Sequence, residues 1–213
     1  MHQNSQSVNW EWSRTPRTVI AATYPSVRRL IDIFVGLFGC LCLIPILPLL
    51  WLANRLSAPG PLFYTQTRVG LQGTPFTIVK LRSMIVDAEV GGVQWTSAHD
   101  PRITPLGHFL RRTHLDEVPQ CWNILKGEMS LIGPRPERPE FVTLLTKGVP
   151  TYPLRHSVTP GLTGWAQVNY GYGDSIEDAR IKLHYDLEYI EQQSWWLDLM
   201  ILWRTFGVLL HGR

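Results

Sequence analysis

The sequence predicts an α+β fold, mostly helical and bound to a membrane. Three observations carry this: one dense apolar block near the N-terminus, two short β-rich stretches after it, and helical periodicity through much of the remainder. At 213 residues the chain holds one domain with a real core and a short attached element, and not two full catalytic domains.

The apolar block, residues 30–53, reads LIDIFVGLFGCLCLIPILPLLWLA. At about 1.5 Å per residue it is just long enough to cross a bilayer as one straight helix. Pro45 and Pro48 lie inside it, and each removes a backbone donor and bends the rod. Arg28 and Arg29 precede the block and Arg55 follows it, with Arg14 and Arg17 upstream and Arg68, Lys80 and Arg82 downstream. The positive-inside rule then puts both ends on the cytoplasmic side, as a re-entrant hairpin would. The arm up to Ile44 is roughly 22 Å long, short of the hydrocarbon thickness. A kinked full-span helix fits the same residues, so physics alone leaves the two open.

A second apolar block, SWWLDLMILWRTFGVLL over 194–210, carries Asp198 and Arg204 and opens with paired tryptophans, which favour the water–lipid boundary. It reads as an interfacial helix, with a buried core helix as the alternative. A polar stretch of almost thirty residues precedes the first block, so that block is not an ordinary signal peptide and no cleavage is expected.

Between the blocks, the turn signal SAPGP at 57–61 leads into LFYTQTRVG and PFTIVKLRSM, which predict a hairpin or two short strands. A helix follows, with Thr104 as cap, Pro105 at its first position, and Leu106, Phe109 and Leu110 on one face up to Arg111 and Arg112. Val118, Trp122 and Leu125 mark another helix, stopped by Gly127, with Asp116, Glu117 and Pro119 in its first turn or cap. Residues 130–173 are rich in proline and glycine and predict mostly shaped loop. Ser175 then opens a capping-box-like Ser-Ile-Glu-Asp, and Ile176, Leu183, Leu187 and Ile190 share one side of a helix ending near Gln193.

The net charge of +3 is modest, and basic residues flank the apolar segments. That suits an anionic lipid surface or a phosphate ligand and argues against nucleic acid. Cys40, Cys42 and Cys121 form neither a zinc pattern nor a disulfide framework. The sequence has no Walker loop, no H-E-x-x-H, no G-x-S-x-G and no D-x-D, which removes several enzyme classes.

The candidate chemistry centres on Asp116 and Glu117, adjacent carboxylates at a helix start beside Arg111 and Arg112. The helix dipole and the guanidinium groups should favour the ionised form. Neighbouring side chains diverge on a helix, so a division of labour is natural, with one acid attacking phosphorus and the other holding Mg²⁺. Such acids are also common capping devices, and spacing alone does not make the pair catalytic. Arg135, between two prolines in GPRP, offers a stiffly held five-donor fork for phosphate oxygens, or is a surface arginine in a turn. Lys80 and Arg82 alternate along the expected strand, where they would meet a diphosphate on one face or form a solvated one.

Taken together, RRLIDIF, SAPGPLFYTQTRVG, FTIVKLRSM, DPRITPLGHFLRRTHLDEVPQCWNILKGEMSLIGPRP, TPGLTGWAQV and HYDLEYI form an ordered series from about Arg28 to the C-terminus. This series resembles the bacterial sugar transferases known as monotopic phosphoglycosyl transferases. The resemblance implies a monotopic membrane enzyme with a re-entrant helix broken near Pro45, a short β element and interfacial helices. The implied division is a tail over 1–27, a re-entrant helix-break-helix over 28–56 and a cytoplasmic, interfacial catalytic domain over 57–213.

By the same resemblance Asp116 matches the nucleophile and Glu117 its Mg²⁺-associated neighbour. Arg111 and Arg135 match basic residues near the phosphates, and Asp186 matches the acid of a late Tyr-Asp motif. The implied reaction is ping-pong: Asp116 takes the phosphosugar from a UDP-sugar, UMP leaves, and polyprenyl phosphate collects the phosphosugar at the cytoplasmic face of the bacterial inner membrane. Membrane lipid is the remaining expected partner, and self-association is left open. Two departures stand out: the helix break reads Ile-Pro where some relatives have Ser-Pro, and His114 stands where a small polar residue is more usual.

Overall fold

A computed structural model of the chain describes residues 23–90, 92, 100–171 and 175–211. Residues 1–22 of the expected tail lie outside these. Among the described residues the order is α1 Thr23–Ser57, β1 Phe63–Val69, β2 Pro75–Leu81, α2 Pro105–Arg112, α3 Gln120–Lys126, β3 Ser130–Ile132, α4 Pro139–Gly148, β4 Gly161–Thr163, α5 Trp165–Asn169, α6 Ile176–Gln192 and α7 Trp195–His211. The fold is mixed α+β and mostly helical, with one long apolar helix at its N-terminal end.

α1 runs continuously through Pro45 and Pro48, so no non-helical residue divides it into two arms at the expected break. Both prolines lie on its exposed face, where they deprive the carbonyls of Leu41 and Ile44 of their usual partners. The opposite face carries Asp32, Gly36, Gly39, Leu43, Leu47, Leu50 and Asn54 at three- and four-residue spacing, and this stripe docks on the globular body along the length of the helix. Gly36 and Gly39 allow the approach to α3, since a Cβ at Gly36 would press on Leu125 and one at Gly39 would fall on the Cys121 sulfur.

Polar groups clamp both ends. Arg29 donates to the α3 carbonyls of Ile124 and Leu125, each at 2.6 Å, while Asp32 accepts from the Leu131 amide at 2.7 Å and from Ser130 Oγ at 3.1 Å. At the far end Asn54 donates to the Gly60 carbonyl at 3.0 Å and accepts from Arg82 at 2.9 Å. Both flanks of the apolar run are therefore fastened to one body. Leu30, Phe34, Leu37, Phe38, Leu41 and Ile44 remain exposed on the outer side.

β1 and β2 form an antiparallel hairpin, with Tyr64 opposite Lys80, Gln66 opposite Ile78 and Arg68 opposite Phe76. This register puts Tyr64, Gln66 and Arg68 on the same face as Lys80. α2 starts as read from the sequence: the Thr104 hydroxyl accepts from the Gly107 amide at 2.9 Å and Pro105 occupies the first turn. α3 ends at Gly127, whose φ of 83° only glycine adopts readily. The expected loop over 130–173 instead contains two short parallel strands, β3 and β4, and helices α4 and α5. Pro139 opens α4 and does not break it, and Phe141 and Leu145 bury themselves against Leu183 and Leu187 of α6. α6 carries the capping box, formed by Ser175 and Asp178.

α7 packs Leu197 and Ile201 against Tyr189 and Ile132. Its other face exposes Trp196, Leu199, Trp203 and Phe206. Its inward side is buried, with Asp198 accepting from the Tyr189 hydroxyl at 3.0 Å, and its outward side is bare. Bare apolar faces on α1 and α7 associate the molecule with a membrane.

Candidate active site

Asp116 and Glu117 sit in a 3₁₀ turn, Leu115–Glu117, which separates α2 from α3 instead of forming the first turn of α3. His114 makes the corner with φ 56° and ψ 15°, a left-handed conformation that histidine enters more readily than most residues. The unusual histidine therefore fits the backbone it occupies.

The corner gives the two carboxylates different surroundings. Glu117 is gripped: Lys80 Nζ donates to its Oε1 at 3.0 Å, and the Arg135 fork donates to Oε2 at 3.2 Å and to Oε1. Burial acts to raise its pKa, but the facing charges of Arg135 and Lys80 outweigh burial and hold the carboxyl well below the ordinary range. Asp116 is buried, and among the described residues no hydrogen bond or ion pair fixes its carboxylate. Burial and then the neighbouring Glu117 charge raise its pKa; Lys80, Arg111 and Arg135 offset only part of that. The sequence expectation that both acids favour ionisation therefore holds for Glu117 and is reversed for Asp116, where burial and the Glu117 charge outweigh the nearby cations.

Arg111 reaches this centre with its Nε held by Ser83 Oγ at 2.9 Å. Arg135 projects from the proline-flanked strap as expected. The strap is tied to β1, since the Pro136 carbonyl accepts from Arg68 at 3.1 Å and the Glu137 carbonyl from the Val69 amide at 2.8 Å. Lys80 is present too, its pKa lowered by burial and by the neighbouring Arg135 and Arg68.

Two expected site residues are elsewhere. Arg82 lies past the end of β2, so the alternation that paired it with Lys80 no longer applies. Its guanidinium instead donates to the carbonyls of Pro61, at 2.6 Å, and Ala58 and to Asn54, closing the C-terminal end of α1. Asp186 is 1 % exposed and is ion-paired with Arg155, which donates through Nε at 2.8 Å and through its terminal nitrogen at 2.6 Å. Arg155 also stacks on the Tyr152 ring and donates to its hydroxyl at 2.9 Å. This buried network ties the 152–157 turn to α6 through Asp186.

Arg68 and Gln120 were missed. Arg68 was legible from strand alternation, which places it on the Lys80 face once the hairpin register is known. Nothing in the sequence distinguishes Gln120 from other helix-start residues.

An apolar cavity of about 420 Å³ is lined by Leu43, Ile44 and Leu47 of α1 together with Phe63, Val79, Pro119 and Trp122. Pro119 follows Glu117 by two residues, while Val79 points to the opposite face of β2 from Lys80. Among the described residues no three His, Cys, Asp or Glu side chains gather as a metal cluster. A divalent cation here would complete its shell with substrate oxygens and water, the usual habit of Mg²⁺.

Fold and site together define a membrane-associated α+β protein with a carboxylate pair flanked by Lys80, Arg111 and Arg135. The chain belongs to the bacterial sugar transferase family, whose model matches residues 23–212. It is 40 % identical over 189 residues to a UDP-N-acetylgalactosamine-undecaprenyl-phosphate N-acetylgalactosaminephosphotransferase of Aeromonas hydrophila, covering 89 % of this chain and 45 % of that protein. It is 41 % identical over 181 residues to a UDP-glucose:undecaprenyl-phosphate glucose-1-phosphate transferase of Escherichia coli, covering 84 % and 39 %. With an exopolysaccharide production protein of Rhizobium leguminosarum it shares 39 % identity over 185 residues, 84 % of this chain and 92 % of that one. The chain thus spans less than half the length of the first two relatives.

Proposed function

We propose that the chain transfers a phosphosugar from a UDP-sugar to polyprenyl (undecaprenyl) phosphate at the cytoplasmic face of the bacterial inner membrane, releasing UMP. The observation that carries this reading is the split carboxylate pair: Glu117 locked by Lys80 and Arg135, and beside it Asp116, buried, more basic than usual and unpaired. A carboxylate with raised basicity and no fixed partner is a better nucleophile than a salt-bridged one.

In this reading an Asp116 carboxylate oxygen attacks the sugar-bearing phosphorus. The bond from that phosphorus to the bridging oxygen breaks, and UMP departs with that oxygen and the electron pair. An oxygen of polyprenyl phosphate then attacks the aspartyl phosphosugar, giving polyprenyl diphosphate-sugar and restoring the carboxylate. Arg111, Arg135 and Lys80 bind the non-bridging oxygens and stabilise charge in both transfers. Mg²⁺ would be held by Glu117 with diphosphate oxygens, in exchange for part of the Arg135 contact, and would offset charge on the departing phosphate. The apolar cavity beside Pro119 suits the first isoprene units of the acceptor, whose phosphate lies at headgroup depth.

The test is intact mass of the lipid- or detergent-held protein after incubation with Mg²⁺ and a panel of UDP-sugars without acceptor. A phosphosugar adduct on the parent chain, absent from Asp116→Asn and discharged by polyprenyl phosphate, is expected, and its mass identifies the sugar. No adduct with any donor on folded protein would overturn the covalent reading.

A further inference from the structure

On the Lys80 face of β2, away from the apolar groove, lies a second cavity of about 10 Å³, lined by Arg68, Ile78, Lys80, Gln120, Arg135 and Pro136. Its chemistry is one-sided. Gln120 is 1 % exposed, and its side-chain Nε2 has no hydrogen-bond partner. Arg68 spends its two terminal nitrogens on the Pro136 carbonyl, at 3.1 Å, and on Gln66 Oε1, at 2.6 Å, but its buried Nε is also unpartnered. Two orphaned buried donors beside the same cavity are costly unless a ligand takes them up. Cations also outnumber acids here, with Arg68, Lys80 and Arg135 facing Glu117 and, 3.6 Å from Arg68, Glu137.

The cavity matches one water-sized atom. It therefore admits a single anionic oxygen of a phosphate and not a whole phosphate, and Arg135, with its side chain 40 % exposed, stands beside it on the more open side. We infer that this cavity is a phosphate-oxygen subsite in which Gln120 Nε2 and Arg68 Nε hold the nucleotide phosphate of the donor and of the UMP that leaves. The side of the strand decides between donor and acceptor. In the proposed reaction the lipid-linked phosphate comes from the cavity lined by Val79, whereas Lys80 points to the other face of β2 and the second cavity shares no lining residue with the first. The inference rests on the proposed reaction for the identity of the nucleotide, and the geometry supplies the two residues.

The experiment measures UMP affinity by calorimetry on the full chain in lipid nanodiscs, without turnover. Parent, Gln120→Glu and Gln120→Met are compared, with thermal midpoints as the folding control. An acid at this position repels the anion, so UMP affinity should fall by about tenfold or more in Gln120→Glu. The near-isosteric Gln120→Met, which loses the amide and adds no charge, should fall less and decides the matter if the glutamate variant does not fold. In a two-step transfer kcat/KM for polyprenyl phosphate reports the second step alone and should stay within about twofold of the parent. Unchanged UMP affinity in both variants, or a loss confined to kcat/KM for polyprenyl phosphate, overturns the subsite. A parent chain that binds no UMP also overturns it, while the Asp116 adduct judges the catalytic reading separately.

Discussion

Two adjacent carboxylates with opposite pKa shifts give the acid pair a testable electrostatic signature. A buried carboxylate raised above its ordinary pKa costs stability when ionised, and that cost sets in as pH rises through the unfolded value. Asp116→Asn should therefore abolish adduct formation yet raise the thermal midpoint at pH 7 by about 2–4 °C, read by differential scanning fluorimetry. Adduct formation on the parent should fade on acidification through a pKa above the usual aspartate value of 3.8. Glu117 runs the other way: its depressed pKa contributes stability that is full above 4.5 and is lost as pH falls towards the folded value. Asp186 tests the same logic away from the centre. Asp186→Ala leaves Arg155 buried without its partner and should cost about 3–5 kcal/mol in denaturant unfolding. In membranes where the variant remains folded, its KM for the UDP-sugar should match the parent's.

At the scale of elements, the docking of α1 on α3 depends on the absence of side chains. Gly39→Leu places a branched chain on Cys121 and should destabilise the fold by about 1–3 kcal/mol, measurable as a lower midpoint, while Leu41→Ala on the bare face should leave the midpoint nearly unchanged. Local chemistry made some elements readable in advance: the Thr104 and Ser175 caps, the Gly127 stop and the β-rich flanks of the hairpin all mark their own ends. What escaped was set at a distance. Proline density over 130–173 suggests loop, but Pro139 serves as a helix start once Phe141 and Leu145 have α6 to pack against. The acid pair was recognisable as a unit, whereas its asymmetry was not, because Lys80 and Arg135 meet Glu117 only after 37 and 18 residues of chain have folded back. Arg82 failed as a site residue because the strand ends one position before it.

The whole molecule carries exposed apolar faces on α1 and α7. If α7 lies at the water–lipid boundary, its outward tryptophans hold the body there. Replacing Trp196 and Trp203 together by glutamate should lower partition onto anionic lipid vesicles by about tenfold or more in a flotation assay, with secondary structure retained by circular dichroism. The acceptor-dependent step should then slow more than donor-side adduct formation, because only the acceptor is confined to the bilayer.

The docked stripe on α1 also bears on how the protein is made. Arg28 finds its partner Ser130 only 102 positions later, Asp32 finds Leu131 after 99, and Arg29 finds Ile124 after 95. A ribosome adding about 5–20 residues per second needs roughly 5–20 s to deliver those partners. For that interval the helix, bare on both faces, has no body to lie against, so a nascent-chain carrier or the bilayer itself must shelter it. Whichever of the two shelters it is then the first folding partner of this chain, met before its own core exists.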